Sequence, residues 1–99
     1  MTETPIYWTD ERRLLAAARA GDERAFGRLV DRHRPGLELF CSLMVGCPRE
    51  AEELVGETVL RAWRERERVE RRASARSWLY RIAVHACLDE LERADELRG

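Results

Sequence analysis

The chain has 99 residues, 44% of them hydrophobic and 37% charged, which is typical of one small folded domain. Its 18 basic and 19 acidic residues leave a net charge of −1, which excludes a uniformly basic nucleic-acid coat. All the basic residues are arginine, so lysine-dependent phosphate loops and Schiff-base chemistry are excluded as well. With three cysteines, no long apolar stretch and no signal-peptide pattern, we expect a cytoplasmic protein with reduced thiols and no membrane contact.

The near-neutral total conceals an uneven distribution of charge along the chain. Residues 1–60 carry 8 Arg and 11 acids, a net −3, and residues 82–99 carry 2 Arg and 5 acids, again −3. Between them, residues 61–81 carry 8 Arg and 3 Glu, a net +5. This basic segment is a candidate for nucleic-acid contact, although an arginine face paired with its own glutamates would produce the same pattern.

Capping residues and apolar spacing predict two helices in the first half of the chain. Thr9 or Asp10 caps the first, with residues 1–9 as an N-terminal tail. Asp22 caps the second, whose apolar positions recur at intervals of three and four residues across Pro35. We therefore predict one kinked helix there, ending at Gly46.

The second half of the chain predicts two further helices and a charged connection. Pro48 suits the first position of the third helix, and Ser74 caps the fourth. Residues 65–73 are almost entirely Arg and Glu, with Val69 as the one apolar anchor. Since no alternating strand pattern occurs, the prediction is an all-α, compact bundle of about four helices over residues 10–96.

The third predicted helix carries a row of charges opposite its apolar stripe. Glu53, Glu57 and Arg61 lie one turn apart on that side, and Gly56 stands mid-helix on the same exposed face. These charges fit either a set of i,i+4 pairs or a surface for a protein partner. Gly56 fits either neutral drift or a place where another backbone approaches closely.

Several segments, in order and at matching spacing, resemble region 2 of an extracytoplasmic-function (ECF) sigma factor. They are GDERAF at 21–26, HRP at 33–35, EAEELVGETVLRAW at 50–63, SWLYRIA at 77–83 and ACLD at 86–89. The resemblance spans roughly residues 12 to 93. It implies the all-helical fold already predicted from periodicity, and a role in transcription initiation.

The resemblance implies that the third helix binds the clamp helices of core RNA polymerase. The matching positions in this chain are Glu53, Gly56, Glu57, Leu60 and Arg61. A glutamine is usual in the family where Gly56 stands.

The resemblance also implies that the charged connection and the fourth helix melt the promoter and capture the minus-ten element of the non-template strand. The matching positions are Arg66, Arg68, Arg71, Arg72, Arg76, Ser77, Tyr80, Arg81 and His85. The arginines would contact phosphates, Ser77, Arg81 and His85 would read bases, and Tyr80 would stack. By contrast, Trp63 and Trp78 fall on apolar rows and are predicted to be core.

Metal binding and catalysis fit the sequence less well than this function does. His85 and Cys87 are two residues apart and no C-x-x-C pair exists, so we expect no metal and no cofactor. Cys41 and Cys87 are better explained as small buried hydrophobic residues. No catalytic motif is present, so we expect no enzyme activity.

The helix-turn-helix domain that accompanies region 2 in the family is absent from these residues. An alternative is therefore a sigma-like interaction module that binds an anti-sigma factor or polymerase without reading promoters.

Overall fold

Four α-helices and one short 3-10 helix make up the fold. The computed structural model describes the backbone of residues 6–70 and 73–98, and the side chains of residues 10–70 and 73–98. The elements are α1 (Ile6–Arg19), α2 (Glu23–Val45), α3 (Pro48–Glu65), the 3-10 helix (Arg66–Arg68) and α4 (Ala75–Arg98). No strand occurs among these residues, and the predicted all-α bundle of four helices is confirmed.

The boundaries of α2 follow its predicted capping residues. The Asp22 side chain accepts a hydrogen bond from the Ala25 N–H at 3.1 Å. At the other end Gly46 adopts the left-handed conformation, with φ of 73°, and its N–H donates to the Ser42 carbonyl at 2.8 Å. The helix is continuous through Pro35, which lies on the exposed side. The predictions of one helix across the proline and of both caps are confirmed.

The helices of the second half also begin where the sequence indicates. Pro48 occupies the first turn of α3, where its missing N–H leaves no hydrogen bond unmade. The Ser74 hydroxyl accepts from the Ser77 N–H at 3.0 Å at the start of α4. Val69, in the connection between these helices, is only 6% exposed and anchors the connection to the core as predicted.

The predicted start of α1 is wrong. The helix begins at Ile6, so Thr9 and Asp10 lie inside it, and at least residues 6–9 of the predicted tail are helical. Residues 1–5 lie outside the described part of the chain. Asp10 and Glu11 do not cap a helix end; they pair with Arg32 and His33 of α2.

The core lies where α2, α3 and α4 meet. The largest side chains with almost no exposure are Leu29, Leu37, Leu79, Val30, Val55, Thr58, Cys41 and Cys87. Phe26 of α2 packs against both Trp63 and Trp78, with ring centroids 5.1 and 6.4 Å apart. Trp78 is 6% exposed and Trp63 is half-buried against the core, which matches the prediction for both.

Cys41 of α2 and Cys87 of α4 are fully buried, with their thiols in contact across the two helices. Burial, reinforced by the neighbouring Cys87 thiol, raises the pKa of Cys41 to about 12. Both thiols are therefore protonated at neutral pH and act as small hydrophobic residues in the core, as predicted.

Candidate protein-partner and nucleic-acid interfaces

One side of α3 is buried and the other presents charge to the surface. The buried side includes Leu54 and Thr58, and the Thr58 hydroxyl donates to the Leu54 carbonyl at 2.7 Å. On the opposite side Glu53 and Gly56 are exposed and Leu60 is 54% exposed. The residues that the sequence singled out on α3 thus share one accessible face.

This face continues into a groove of about 340 Å³ between α3 and α4. We call it the α3–α4 groove; it is lined by Glu50, Glu53, Leu54, Glu57, Arg61, Ala86, Asp89, Glu90 and Arg93. Five carboxylates against two guanidinium groups make it negatively charged. Sequence reasoning confined this surface to α3 and missed the contribution of α4. The available signal was the acidic run at 89–96, which is out of place beside DNA phosphates.

Arg61 bridges the two helices that form the groove. Its Nε donates to Glu57 Oε1 at 3.0 Å and its Nη2 pairs with Asp89 Oδ2, also at 3.0 Å. The hydrogen bond that Arg61 donates to Glu57 and its pairing with Asp89 raise the pKa of Arg61 above its ordinary value. The i,i+4 pair predicted between Glu57 and Arg61 is present, and its guanidinium is also tied to α4.

A second pair orders the far end of the groove. Arg93 contacts both carboxylate oxygens of Glu90, at 2.7 and 3.0 Å, and this lowers the pKa of Glu90. The carboxylates of Glu50 and Glu53 lie near enough to favour the charged form of Arg93. The groove is thus a network of charges, and only some of its carboxylates are neutralised within the chain.

A separate pocket of about 230 Å³ lies between α4 and residues 65–70 and 73, which belong to the end of α3 and the connection that follows it. We call it the Trp78 pocket; it is lined by Glu65, Arg68, Val69, Glu70, Ala73, Trp78, Arg81, Ile82 and His85. Trp78, Ile82 and Val69 form an apolar wall, each no more than 6% exposed. The pocket brings together three of the predicted DNA-contacting residues, Arg68, Arg81 and His85. Glu65 and Glu70 were missed, because nothing in the sequence shows that the connection folds back over α4.

Arg66, which was also predicted to contact phosphate, turns back onto α3. Its Nη1 donates to the Trp63 carbonyl at 2.8 Å, and its guanidinium stacks 4.1 Å from the centre of the Trp63 ring. This side chain therefore caps the C-terminal end of α3. Arg71 and Arg72 lie outside the described residues, and their phosphate contacts stay predictions.

Arg76, Ser77 and Tyr80 do not line the Trp78 pocket. The Tyr80 ring packs edge-on against Phe40, with centroids 5.5 Å apart, and Arg76 lies 5.3 Å over its face. A Cβ placed on Gly36 of α2 would collide with the Tyr80 hydroxyl. Tyr80 thus packs between α2 and Arg76, and stacking of a base on its ring stays a prediction.

The part of the chain that the structure describes was searched for metal-binding groups and membrane spans. Among these residues, no three or more His, Cys, Asp or Glu side chains form a group suited to hold a metal ion. None of their helices is long and apolar enough to cross a membrane.

Comparisons with known proteins identify the family. The sigma-70 region 2 family profile matches residues 29–96, more than half of the chain. The chain is 42% identical over 77 residues to the ECF RNA polymerase sigma factor SigG of Mycobacterium tuberculosis, covering 78% of this chain and 20% of the relative. It is 40% identical over 81 residues to the ECF sigma factor SigM of Mycobacterium tuberculosis, covering 82% of this chain and 41% of the relative.

Comparison with solved structures gives the same family as the sequence comparisons. An NMR structure of an engineered region 2 of sigmaE in complex with GTAAAA superimposes with a TM-score of 0.79 at 27% identity, covering 91% of this chain and 93% of that one. The chain belongs to the sigma-70 region 2 family, and the resemblance to ECF sigma factors is confirmed. This chain spans about a fifth of the length of SigG and about two-fifths of the length of SigM.

Proposed function

We propose that this chain is a sigma factor domain that binds core RNA polymerase and captures the melted minus-ten element of promoter DNA. The observation that carries this proposal is the Trp78 pocket, whose lining combines an apolar floor with the side chains of Arg68, Arg81 and His85. Single-strand capture needs those two features together, because a base must leave the stack while its phosphates stay bound.

The pocket suits an unstacked base of the non-template strand. Trp78, Ile82 and Val69 are almost fully covered, so they form the floor of the pocket and offer the base the edge of an apolar surface. Arg68 and Arg81 supply positive charge for the flanking phosphates. His85, Glu65 and Glu70 offer donors and acceptors for base edges. The relative whose structure superimposes here was solved in complex with GTAAAA, which supports this assignment.

The α3–α4 groove suits a basic protein partner, and we assign it to the clamp helices of polymerase. Glu53 is exposed on its rim, and a Cβ on the exposed Gly56 beside it would meet no atom of the described residues within 4 Å, apart from its own neighbours along α3. A partner backbone can therefore approach α3 closely at this point. The two proposed interfaces lie at different places on the domain, so both partners can be bound together.

In this proposal the domain acts in the cytoplasm by binding alone, without catalysis, and an anti-sigma factor is a further expected partner. Two observations favour the alternative, a sigma-like module that binds protein partners but does not read promoters. The α3–α4 groove is the larger of the two recesses, and Arg66 is held by α3. The two functions differ in one measurable property, the binding of single-stranded DNA.

The test is titration of the full chain into a fluorescently labelled single-stranded GTAAAA oligonucleotide, followed by anisotropy over about 50 to 200 mM salt. We expect saturable binding whose logarithmic dependence on salt is steep. Arg68→Ala should weaken binding and reduce that slope by about one, since one phosphate contact is lost. Arg49→Ala is the matched control, because it removes the same charge from an exposed site at the opposite end of α3.

Binding that is weak, insensitive to salt or equally reduced in both variants would contradict promoter reading. If the same chain still bound purified core RNA polymerase, the interaction-module alternative would be supported.

A further inference from the structure

The bridge between Glu57, Arg61 and Asp89 joins α3, which we assign to polymerase binding, to a residue of α4. We propose that Asp89 of α4 is a positioning residue for polymerase binding, which acts through Arg61 to hold the Glu57 carboxylate in place. This inference rests on the proposed function of the α3–α4 groove. It also changes the role of Arg61, from a residue that meets polymerase to one that orients its neighbour.

The geometry of Arg61 supports this role. Its Nε and Nη2 are both engaged at 3.0 Å, on two carboxylates that belong to different helices. The Arg61 side chain is 28% exposed, whereas Glu57 is 41% and Asp89 61% exposed. The guanidinium therefore lies beneath the two carboxylates it joins. Of the two bridge residues on α3, Glu57 is more accessible than Arg61, and its carboxylate can accept further hydrogen bonds from a partner.

Two anchored ends restrict Arg61 more than either would alone. An i,i+4 pair on a helix surface leaves both long side chains free to exchange rotamers, and it contributes little. Asp89 adds a second fixed contact to the same guanidinium, so the Nε–H stays directed at Glu57. A carboxylate already held in position loses less conformational freedom when a partner binds.

The position of Asp89 also connects this bridge to the DNA-reading helix. Arg81, His85 and Asp89 are spaced by four residues, so they lie along one side of α4. The first two line the Trp78 pocket and the third reaches α3. The same helix thus carries the candidate base-contacting groups and the group that orders the polymerase face.

The test is binding of the full chain to purified bacterial core RNA polymerase, measured for Asp89→Asn, Glu57→Gln and the double variant at low salt. We expect Asp89→Asn to weaken binding about two- to fivefold, the range set by a single exposed ion pair. In the Glu57→Gln background Asp89→Asn should have no further effect, because the group it positions is already altered. Asp89→Glu, which keeps the charge, should restore most of the affinity.

Asp95→Asn is the matched control, since it removes the same charge from an exposed site on α4 outside the groove. Thermal unfolding of each variant separates positioning from lost stability. Equal effects of Asp89→Asn and Asp95→Asn would overturn the inference, and so would additive effects of Asp89→Asn and Glu57→Gln. Binding that is lost in Glu57→Gln but unchanged in Asp89→Asn would overturn this inference alone. A wild-type chain that does not bind polymerase would overturn the proposed function as well.

Discussion

The two candidate interfaces of this domain are built in different ways. The α3–α4 groove is formed by two regular helices, and its charges are fixed by pairs such as Arg61 with Asp89. The Trp78 pocket is formed by α4, the last residue of α3 and the connection after it, which Val69 anchors to the core. A surface on regular helices is held by the whole core, whereas a surface on a connection depends on a few local contacts.

This difference leads to an expectation about stability and function. A core substitution beneath the groove should affect the whole domain, whereas one beneath the connection should affect DNA binding more than global stability. Substitutions placed beneath each interface separate these effects.

Leu54→Ala should produce the largest loss of stability. Leu54 is 7% exposed and lies beneath the α3–α4 groove, in contact with the shared core. Removing its branched end leaves a cavity, and we expect the free energy of unfolding to fall by about 2–5 kcal/mol. Urea denaturation followed by circular dichroism measures this loss. A change below about 1 kcal/mol would show that α3 is not held by the core as described.

Gly36→Ala should be the next largest effect, because α2 and α4 approach closely at this point. The added Cβ would meet the Tyr80 hydroxyl, and the Tyr80 ring is held by Phe40 and Arg76. Overpacking of this kind costs about 1–3 kcal/mol of unfolding free energy, which exceeds the gain in helix propensity.

Tyr80→Phe is the partner variant for this test. It removes the hydroxyl, and the nearest remaining ring atom would lie 3.6 Å from the new Cβ, an ordinary contact. The Gly36→Ala variant should therefore be stabilising, or neutral, when it is made in the Tyr80→Phe background. Destabilisation of equal size in both backgrounds would contradict the close approach of these two helices.

The sequence predicted the regular parts of this molecule well, for a physical reason. The caps at Asp22, Gly46 and Ser74 are local hydrogen-bond arrangements that depend on a few neighbouring residues. The prediction for the start of α1 was wrong. Asp10 pairs with Arg32 of α2, and this is a tertiary contact that local capping rules do not include.

The candidate site was predicted in part for the same reason. Residues on the exposed face of α3 follow from helical spacing, so Glu53 and Glu57 were found. The roles of Arg66 and Asp89 depend on which element each side chain packs against, and spacing within one helix does not give this. The family resemblance added the partners, which composition and periodicity alone did not indicate.

Val69→Ala tests the dependence of the pocket on its single anchor. Two buried methyl groups are lost, which should lower the free energy of unfolding by about 1–2 kcal/mol. Because Val69 also forms part of the apolar wall of the Trp78 pocket, binding of the GTAAAA oligonucleotide should weaken as well. Binding to core RNA polymerase, measured well below the unfolding temperature, should be unchanged. Equal losses for both partners would show that the two interfaces are not independent.

Gly56→Ala should have the smallest effect on stability, and one of opposite sign. Among the described residues, only its own neighbours along the helix come within 4 Å of the position that its Cβ would occupy, and the residue is exposed in the middle of α3. Alanine there should raise the free energy of unfolding by up to about 1 kcal/mol, because glycine is the poorer helix former. If Gly56 serves as a place where a partner backbone approaches, the same variant should bind core RNA polymerase more weakly although it is more stable. Increased stability with unchanged polymerase binding would instead identify Gly56 as a neutral surface position, and would limit the partner contact to the carboxylates on either side of it.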